Sequence, residues 1–184
     1  MENEPYYFIK HFEDEKVKLS KEFKHRTFND FDLHFFFSRL KELYKKYSSM
    51  EEMFSPYFKK SNNSYLPIIK FREEFLGEFD YVRTKKHIAN PKKGSAAKRL
   101  NMFLRWMVRK DQKGVDFGIW QNINASKLSC PLDIHSGNGA REFGLIERKL
   151  NDWKAVEELD KNLRKLDPND PVKYDFALFG WSIN

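Results

Sequence analysis

The 184 residues are enough for one ordinary domain and too few for two with full cores. Nowhere do apolar residues run long enough to span a bilayer, and the opening MENEPYYFIK lacks the basic-then-apolar layout of a signal peptide, so the expected location is cytoplasmic and no membrane partner is expected. The lone cysteine, Cys130, excludes an internal disulfide and any multi-cysteine zinc or iron–sulfur site. The formal net charge of +7 is concentrated: eleven basic residues and one acid, Asp111, lie between Tyr81 and Gly114, giving that segment +10 and the remainder −3. Such a local excess is the footprint of a polyanion-binding surface, although a solvated basic face reads the same way.

In chain order, Asp30 to Tyr47 reads as a helix with a wide apolar face that includes Phe31, Leu33, Phe37, Leu40 and Tyr44. Ser49 and Glu52 have the spacing of a capping box and open a second helix through Phe58. A polar loop over 59–64 precedes a third helix, from about Leu66 to Phe79. Asn90-Pro91-Lys92-Lys93-Gly94-Ser95 is a turn, because Pro fixes one dihedral and Gly permits the other sign. Beyond it, Leu100, Phe103, Leu104, Met107 and Val108 recur at helical spacing, while Lys98, Arg105 and Arg109 form a cationic stripe on another face.

Residues 110–131 read as an extended connection with a short helical piece near Phe117–Trp120. Asp133 is suited to N-cap a helix from Ile134 to Phe143, in which Gly137 and Gly139 call for a packing reason. Asp152 caps a further helix bearing Trp153, Val156, Leu159, Leu163 and Leu166, with Glu157–Lys161 and Asp160–Arg164 as outward pairs. After Asp167-Pro-Asn-Asp-Pro171, a nearly apolar last helix from Val172 to about Trp181 is expected in the core. Strand signals are weak throughout.

Lys98 and Asp133 carry the chemistry. An amine at a helix start, close in sequence to Lys92, Lys93 and Arg99, is disfavoured as ammonium, and a neutral amine is a nucleophile toward a carbon such as a sugar C1′. From spacing alone Lys98 reads equally as a phosphate contact and Asp133 as a plain N-cap. The catalytic reading needs the two to meet across thirty-five residues of chain. His135 reads either as a phosphate-holding or orienting group or as a structural histidine, and Trp106, Trp120 and Phe117 either as base-stacking rings or as core. No Gly-rich nucleotide loop, nucleophile elbow or metal-spaced histidine pair is visible, and no cofactor or metal is expected.

The strings from Asn90 to Arg109 and from Asp167 to Gly180 resemble a conserved hypothetical bacterial family, domain of unknown function 2400, closely over 90–183 and more loosely from Pro5. Members usually carry further N-terminal helices, so the chain is expected to be N-terminally short. That family in turn is similar, remotely, to the helix-hairpin-helix DNA glycosylases of base-excision repair. In those enzymes a glycine hairpin holds backbone phosphates, a lysine opens the next helix, and an aspartate follows in a Leu/Val-Asp-Thr-His-like string. Gly94 and Lys98 stand in that relation here, and Leu132-Asp133-Ile134-His135 matches the second string, with Ile for Thr and with Ala96 where a second hairpin glycine is usual.

The resemblance implies an all-α multi-helix domain of the helix-hairpin-helix glycosylase type, with 5–80 as a helical subdomain and 81–184 as the hairpin-containing core. It further implies Lys98 as nucleophile and Asp133 as catalytic carboxylate. Double-stranded DNA is the expected partner, met by Lys92, Lys93, Gly94, Ser95, Arg99, Arg105, Arg109 and His135, with Trp106 and Trp120 as stacking candidates. A non-catalytic nucleic-acid-binding domain and a basic protein-interaction domain remain the alternatives.

Overall fold

A computed structural model describes residues 4–13, 23–79, 82–112 and 114–183; Tyr81 and Lys113 of the basic segment lie outside the described residues. The chain is α-helical, as expected. Its helices are α1 (Pro5–Lys10), α2 (Asp30–Lys46), α3 (Met50–Lys59), α4 (Tyr65–Leu76), α5 (Lys98–Val108), α6 (Ile134–Glu142), α7 (Trp153–Leu166) and α8 (Asp175–Ile183). Among the described residues the sheet content is one antiparallel pair, β1 (Lys24–His25) with β2 (Phe28–Asn29). No described helix is long and apolar enough to cross a membrane. The chain forms two compact units, each discontinuous in sequence: Met1–Met53 with Phe71–Ile88, and Phe54–Lys70 with Ala89–Asn184.

The first unit is built on phenylalanine. Ile9, Phe12 and Phe37 form its buried cluster, with Phe8, Leu33, Leu40 and Tyr44 packed against it. The rings meet edge to face, Phe8 on Phe37 at 5.4 Å and Phe12 on Phe37 at 5.2 Å, the arrangement that aromatic quadrupoles favour. Asn29 and Asp32 cap the start of α2 reciprocally. The buried Asp32 also accepts from the Thr84 hydroxyl at 2.6 Å and pairs with Arg83 and His87. Part of the basic segment is thus tied to a carboxylate within its own unit.

The second unit packs around α7, whose Val156, Leu159 and Leu163 are fully buried together with Leu104 of α5 and Leu128 and Leu132 of the connecting chain. Ser64 and Ser129 exchange backbone-to-hydroxyl hydrogen bonds at 3.1 and 3.0 Å, fixing that connection. The glycines of α6 have the packing reason their sequence demands. A Cβ on Gly137 would lie 2.6 Å from Asn151 Oδ1, and one on Gly139 would lie 2.5 Å from the Leu178 carbonyl oxygen, so α6 and α8 touch backbone to backbone.

Three expectations are corrected. The last helix is not a core helix: only Asp175 and Leu178 are buried, and Phe176, Phe179, Trp181 and Ile183 stand in solvent. A nine-residue helix that meets its neighbour along one line cannot cover all its apolar side chains. No helix forms at Phe117–Trp120, where Phe117 bridges Lys110 and Gly118 takes φ +57°. Asp160 pairs with Arg164 at 3.6 Å but does not face outward; it is buried and accepts the Cys130 N–H at 2.9 Å, while Arg164 also reaches the Leu128 carbonyl at 2.8 Å.

Gly139→Ala is expected to lower unfolding free energy by about 1–3 kcal/mol, since the helix backbones must part. Gly180→Ala, with open space at its Cβ, should instead raise it by up to about 1 kcal/mol. Urea midpoints of the two variants measure the contrast.

Candidate functional site

The hairpin before α5 is closed by its own backbone. Asn90 carbonyl accepts from Lys93 N–H at 3.0 Å and Ser95 N–H at 3.2 Å, and Gly94 takes φ +85°, which glycine adopts without strain. Gly94 carbonyl accepts from Trp153 N–H at 3.0 Å, so the turn is anchored to the first residue of α7. Ala97, the residue before α5, sits at φ +50° and caps nothing with its side chain. A left-handed alanine costs roughly 1–2 kcal/mol, and the first-turn amides of α5 receive no side-chain cap from it. Lys92, Lys93 and Gly94 are exposed around this uncapped start, and so is Arg99.

Lys98 and Asp133 meet. Lys98 Nζ donates to Asp133 Oδ2 at 2.5 Å, with the lysine side chain 37% and the aspartate 18% exposed, so solutes can reach the pair. Asp133 divides its oxygens. Oδ1 accepts the Ser136 N–H at 2.9 Å while Ser136 Oγ accepts the Asp133 N–H, a full capping box, and Oδ2 is left for the lysine. Burial pushes the Asp133 carboxyl upward, but the hydrogen bonds from Lys98 and Ser136 outweigh it and hold the group below its ordinary value. Asn151 Nδ2 donates to the Asp133 carbonyl at 2.8 Å. Any side chain on Gly137 would displace that asparagine, so this glycine serves the aspartate's position.

The rest of the cationic stripe turns inward. Arg105 is 4% exposed. Its Nε donates to Asp116 Oδ1 at 3.2 Å, its Nη1 makes a short contact with Asp175, and its guanidinium lies 4.3 Å from the Phe176 ring centroid. Arg109 donates to Asp116 at 2.8 Å and to Asp111 and Asp170, both at 2.9 Å. Neither arginine presents its charge to a surface ligand, because carboxylates from three loops and a helix start, of which Asp116 and Asp175 are buried, surround them. Trp120 is likewise core, 6% exposed between Phe54 and Phe103. Trp106 stays at the surface, and the exposed His135 ring lies against Phe179 rather than on Asp133. Of the predicted residues, the structure gathers Lys92, Lys93, Gly94, Ser95, Lys98, Arg99 and Asp133 around the start of α5.

Sequence reasoning missed Asp116, Asp170 and Asp175 as partners of the stripe, and Ser136 and Asn151 as the supports of Asp133. Ser136 alone carried a local signal, its spacing of three from Asp133. Two buried acids lie beside Cys130 in the segment that leads to Asp133. Burial pushes Asp160 and Asp175 up to about 6, against the opposing pull of Arg164 and Arg105 respectively.

Residues 1–184 match the model of a family described as a protein of unknown function (DUF2400). The chain belongs to that family. No curated protein and no solved structure matches it.

Asp116→Ala is expected to destabilise this DUF2400 chain by about 3–5 kcal/mol, because it leaves two buried guanidinium groups short of a carboxylate; thermal or urea denaturation reads it. Asp160 has its folded-state value raised from 3.8 to about 6. Its contribution is therefore fully present below pH 3.8 and is lost as pH rises through about 6. Asp160→Asn keeps an acceptor for Cys130 and has no charge to bury. Its stability relative to wild type should rise across that window by on the order of 2 kcal/mol, and a difference that stays flat with pH contradicts the assignment.

Proposed function

We propose that this chain is a DNA-binding, DNA-repair-like protein that acts as a base-excision glycosylase and abasic-site lyase through a Schiff base on Lys98. The observation that carries this reading is the 2.5 Å contact between Lys98 Nζ and Asp133 Oδ2 at an accessible position, beside a glycine hairpin with exposed lysines. Asp133 is the nearest base for the proton that Lys98 must lose. The neutral amine then attacks C1′, the N-glycosidic bond breaks with its electron pair leaving on the base, and that base is protonated. The resulting secondary ammonium gives up a proton, and the freed nitrogen lone pair opens the sugar ring to a C1′ iminium, with the ring oxygen taking that proton. Loss of a C2′ proton expels the 3′-phosphate. Asp133, returned to its carboxylate, stabilises the positive charge that develops at C1′.

One observation favours a second reading, a nucleic-acid-binding domain without chemistry. Asp133 already caps α6 and pairs with Lys98, which a purely structural residue also does. Lys98→Gln separates the two.

Borohydride reduces a Schiff base to a stable amine, so wild-type chain should form a covalent adduct with an abasic-site duplex and Lys98→Gln none. Asp133→Asn should slow trapping by on the order of 100-fold or more while still binding. Absence of any adduct across abasic and lesion duplexes that the chain does bind rejects the lyase. With Arg105 and Arg109 turned inward, Lys92, Lys93 and Arg99 supply the phosphate contacts, so log Kd should change against log salt with a slope of about 3. A flat response rejects nucleic-acid binding altogether.

A further inference from the structure

The chain from Lys110 to Ile119 inverts the usual burial pattern. Val115, Phe117 and Ile119 are 45%, 62% and 61% exposed, while the charged residue between the first two, Asp116, is 4% exposed. The inversion is built in. Asp116 is drawn inward by Arg105 and Arg109, and Val115 and Phe117 on either side of it are left outward. Gly118, at φ +57°, presses so closely on Lys110 that a Cβ there would lie 2.6 Å from the lysine's own Cβ. Phe117 N–H and Gly118 N–H both donate to the Trp106 carbonyl, at 2.7 and 3.1 Å, and Trp120 N–H donates to that of Met107 at 2.9 Å. The segment is thus a hairpin fastened to the last turn of α5, not a loose loop whose apolar residues lack a place to go.

What surrounds the exposed row selects its partner. Trp106, 36% exposed, lies on α5 beside the hairpin. Arg99, seven residues earlier, falls on the same side of α5 as Trp106, and Lys110, beyond the helix end, bridges Phe117; both basic residues are exposed. The acids of the segment are turned away: the side chains of Asp111 and Asp116 are 10% and 0% exposed and are held by Arg109. A face of rings and cations without an outward acid fits a polyanion that offers flat apolar groups. A second copy of the chain fits poorly, since a two-fold contact brings Arg99 and Lys110 toward their own counterparts.

We propose that Phe117 and Trp106, with Val115 and Ile119 as flanking apolar contacts, form a stacking surface for unpaired bases of a nucleic acid strand. This rests on the DNA-binding reading above and extends it to the kind of substrate. Trp106 lies eight residues beyond Lys98, about 12 Å along α5. A strand engaged at Lys98 therefore presents bases about three or four stacked nucleotides away to this surface. The preferred substrate is a sugar-phosphate strand unpaired on one side of the reacting nucleotide rather than a fully paired duplex.

The test compares two labelled DNAs of equal length by fluorescence anisotropy at one salt concentration: a fully paired duplex and a duplex with an unpaired loop of about four nucleotides. Phe117→Ala should weaken binding to the looped DNA by on the order of tenfold and to the paired duplex by less than about twofold. Phe117→Tyr should restore it and Phe117→Leu should not. Equal losses on both DNAs, no loss on either, or full rescue by leucine overturns the stacking surface. So does a concentration-dependent dimer, seen by sedimentation, that Phe117→Ala abolishes. If borohydride trapping fails while the Phe117 discrimination holds, the lyase falls and the surface stands; if trapping succeeds without that discrimination, the surface alone falls; if wild type binds neither DNA, both fall.

Discussion

The second unit depends on one series of ion pairs along α5. Lys98 and Arg105 project from one side of an eleven-residue helix and Arg109 from the residue that ends it, and each meets carboxylates from elsewhere in the chain: Asp133; Asp116 and Asp175; and Asp111, Asp116 and Asp170. Burying such charges is costly, and a well-packed apolar set of equal volume is often as stable. The series accordingly acts less as a source of net stability than as a register. Asp133 is the N-cap of α6, Asp175 is the first residue of α8, and Asp170 precedes the turn that leads into α8. Each of these acids answers the positive end of a helix or turn and a side-chain cation together, so the cations of α5 fix where the chain re-enters helix.

That arrangement separates the members of the stripe by their accessibility. Arg105 and Arg109 sit among aspartates with little solvent, and Arg109 is held above its ordinary value because Asp116 and Asp170 outweigh the effect of its burial. Lys98, at the other end, shares one carboxylate whose second oxygen is occupied by a helix cap, and it is more than a third exposed. Within the stripe, it is the Lys98–Asp133 pair that combines a short contact with access. The nearby Asp175 feels the charges of Asp133 and Lys98 as well as that of Arg105, yet burial keeps it near 6. The carboxylates that Lys98 and Arg105 bind are therefore driven apart in proton affinity, Asp133 downward and Asp175 upward.

Much of this could be read from the chain, and the failures share a cause. Helical spacing located α5, the caps located the starts of α6 and α7, and Gly137 and Gly139 announced a close approach that Asn151 and Leu178 supply. The stripe on α5 was visible too, but its solvent was not. A cationic row looks the same whether water, phosphate or aspartate lies opposite, and Asp170 and Asp175 are 61 and 70 residues from the arginines they bind. The last helix failed for the converse reason. Hydropathy reports what a side chain prefers, whereas the area available to cover it is set by the neighbours, and α8 has too few of them. The pairing of Lys98 with Asp133 came from family resemblance joined to chemistry; spacing alone leaves both residues with simpler roles.

The same carboxylate that removes Arg105 and Arg109 from the surface creates the exposed hairpin. Asp116 is bound by both arginines, and its inward turn sends Val115 and Phe117 outward while the Trp106 and Met107 carbonyls hold the strand in place. Had the arginines faced phosphate, as their spacing suggests, Asp116 would have no partner and the apolar residues beside it would be free to fold inward. On the proposed reading, the cationic stripe serves nucleic-acid recognition indirectly, by positioning rings at one end of α5 and an amine at the other. With about 1.5 Å of rise per residue, the rigid helix between them sets the separation at which one strand can engage both.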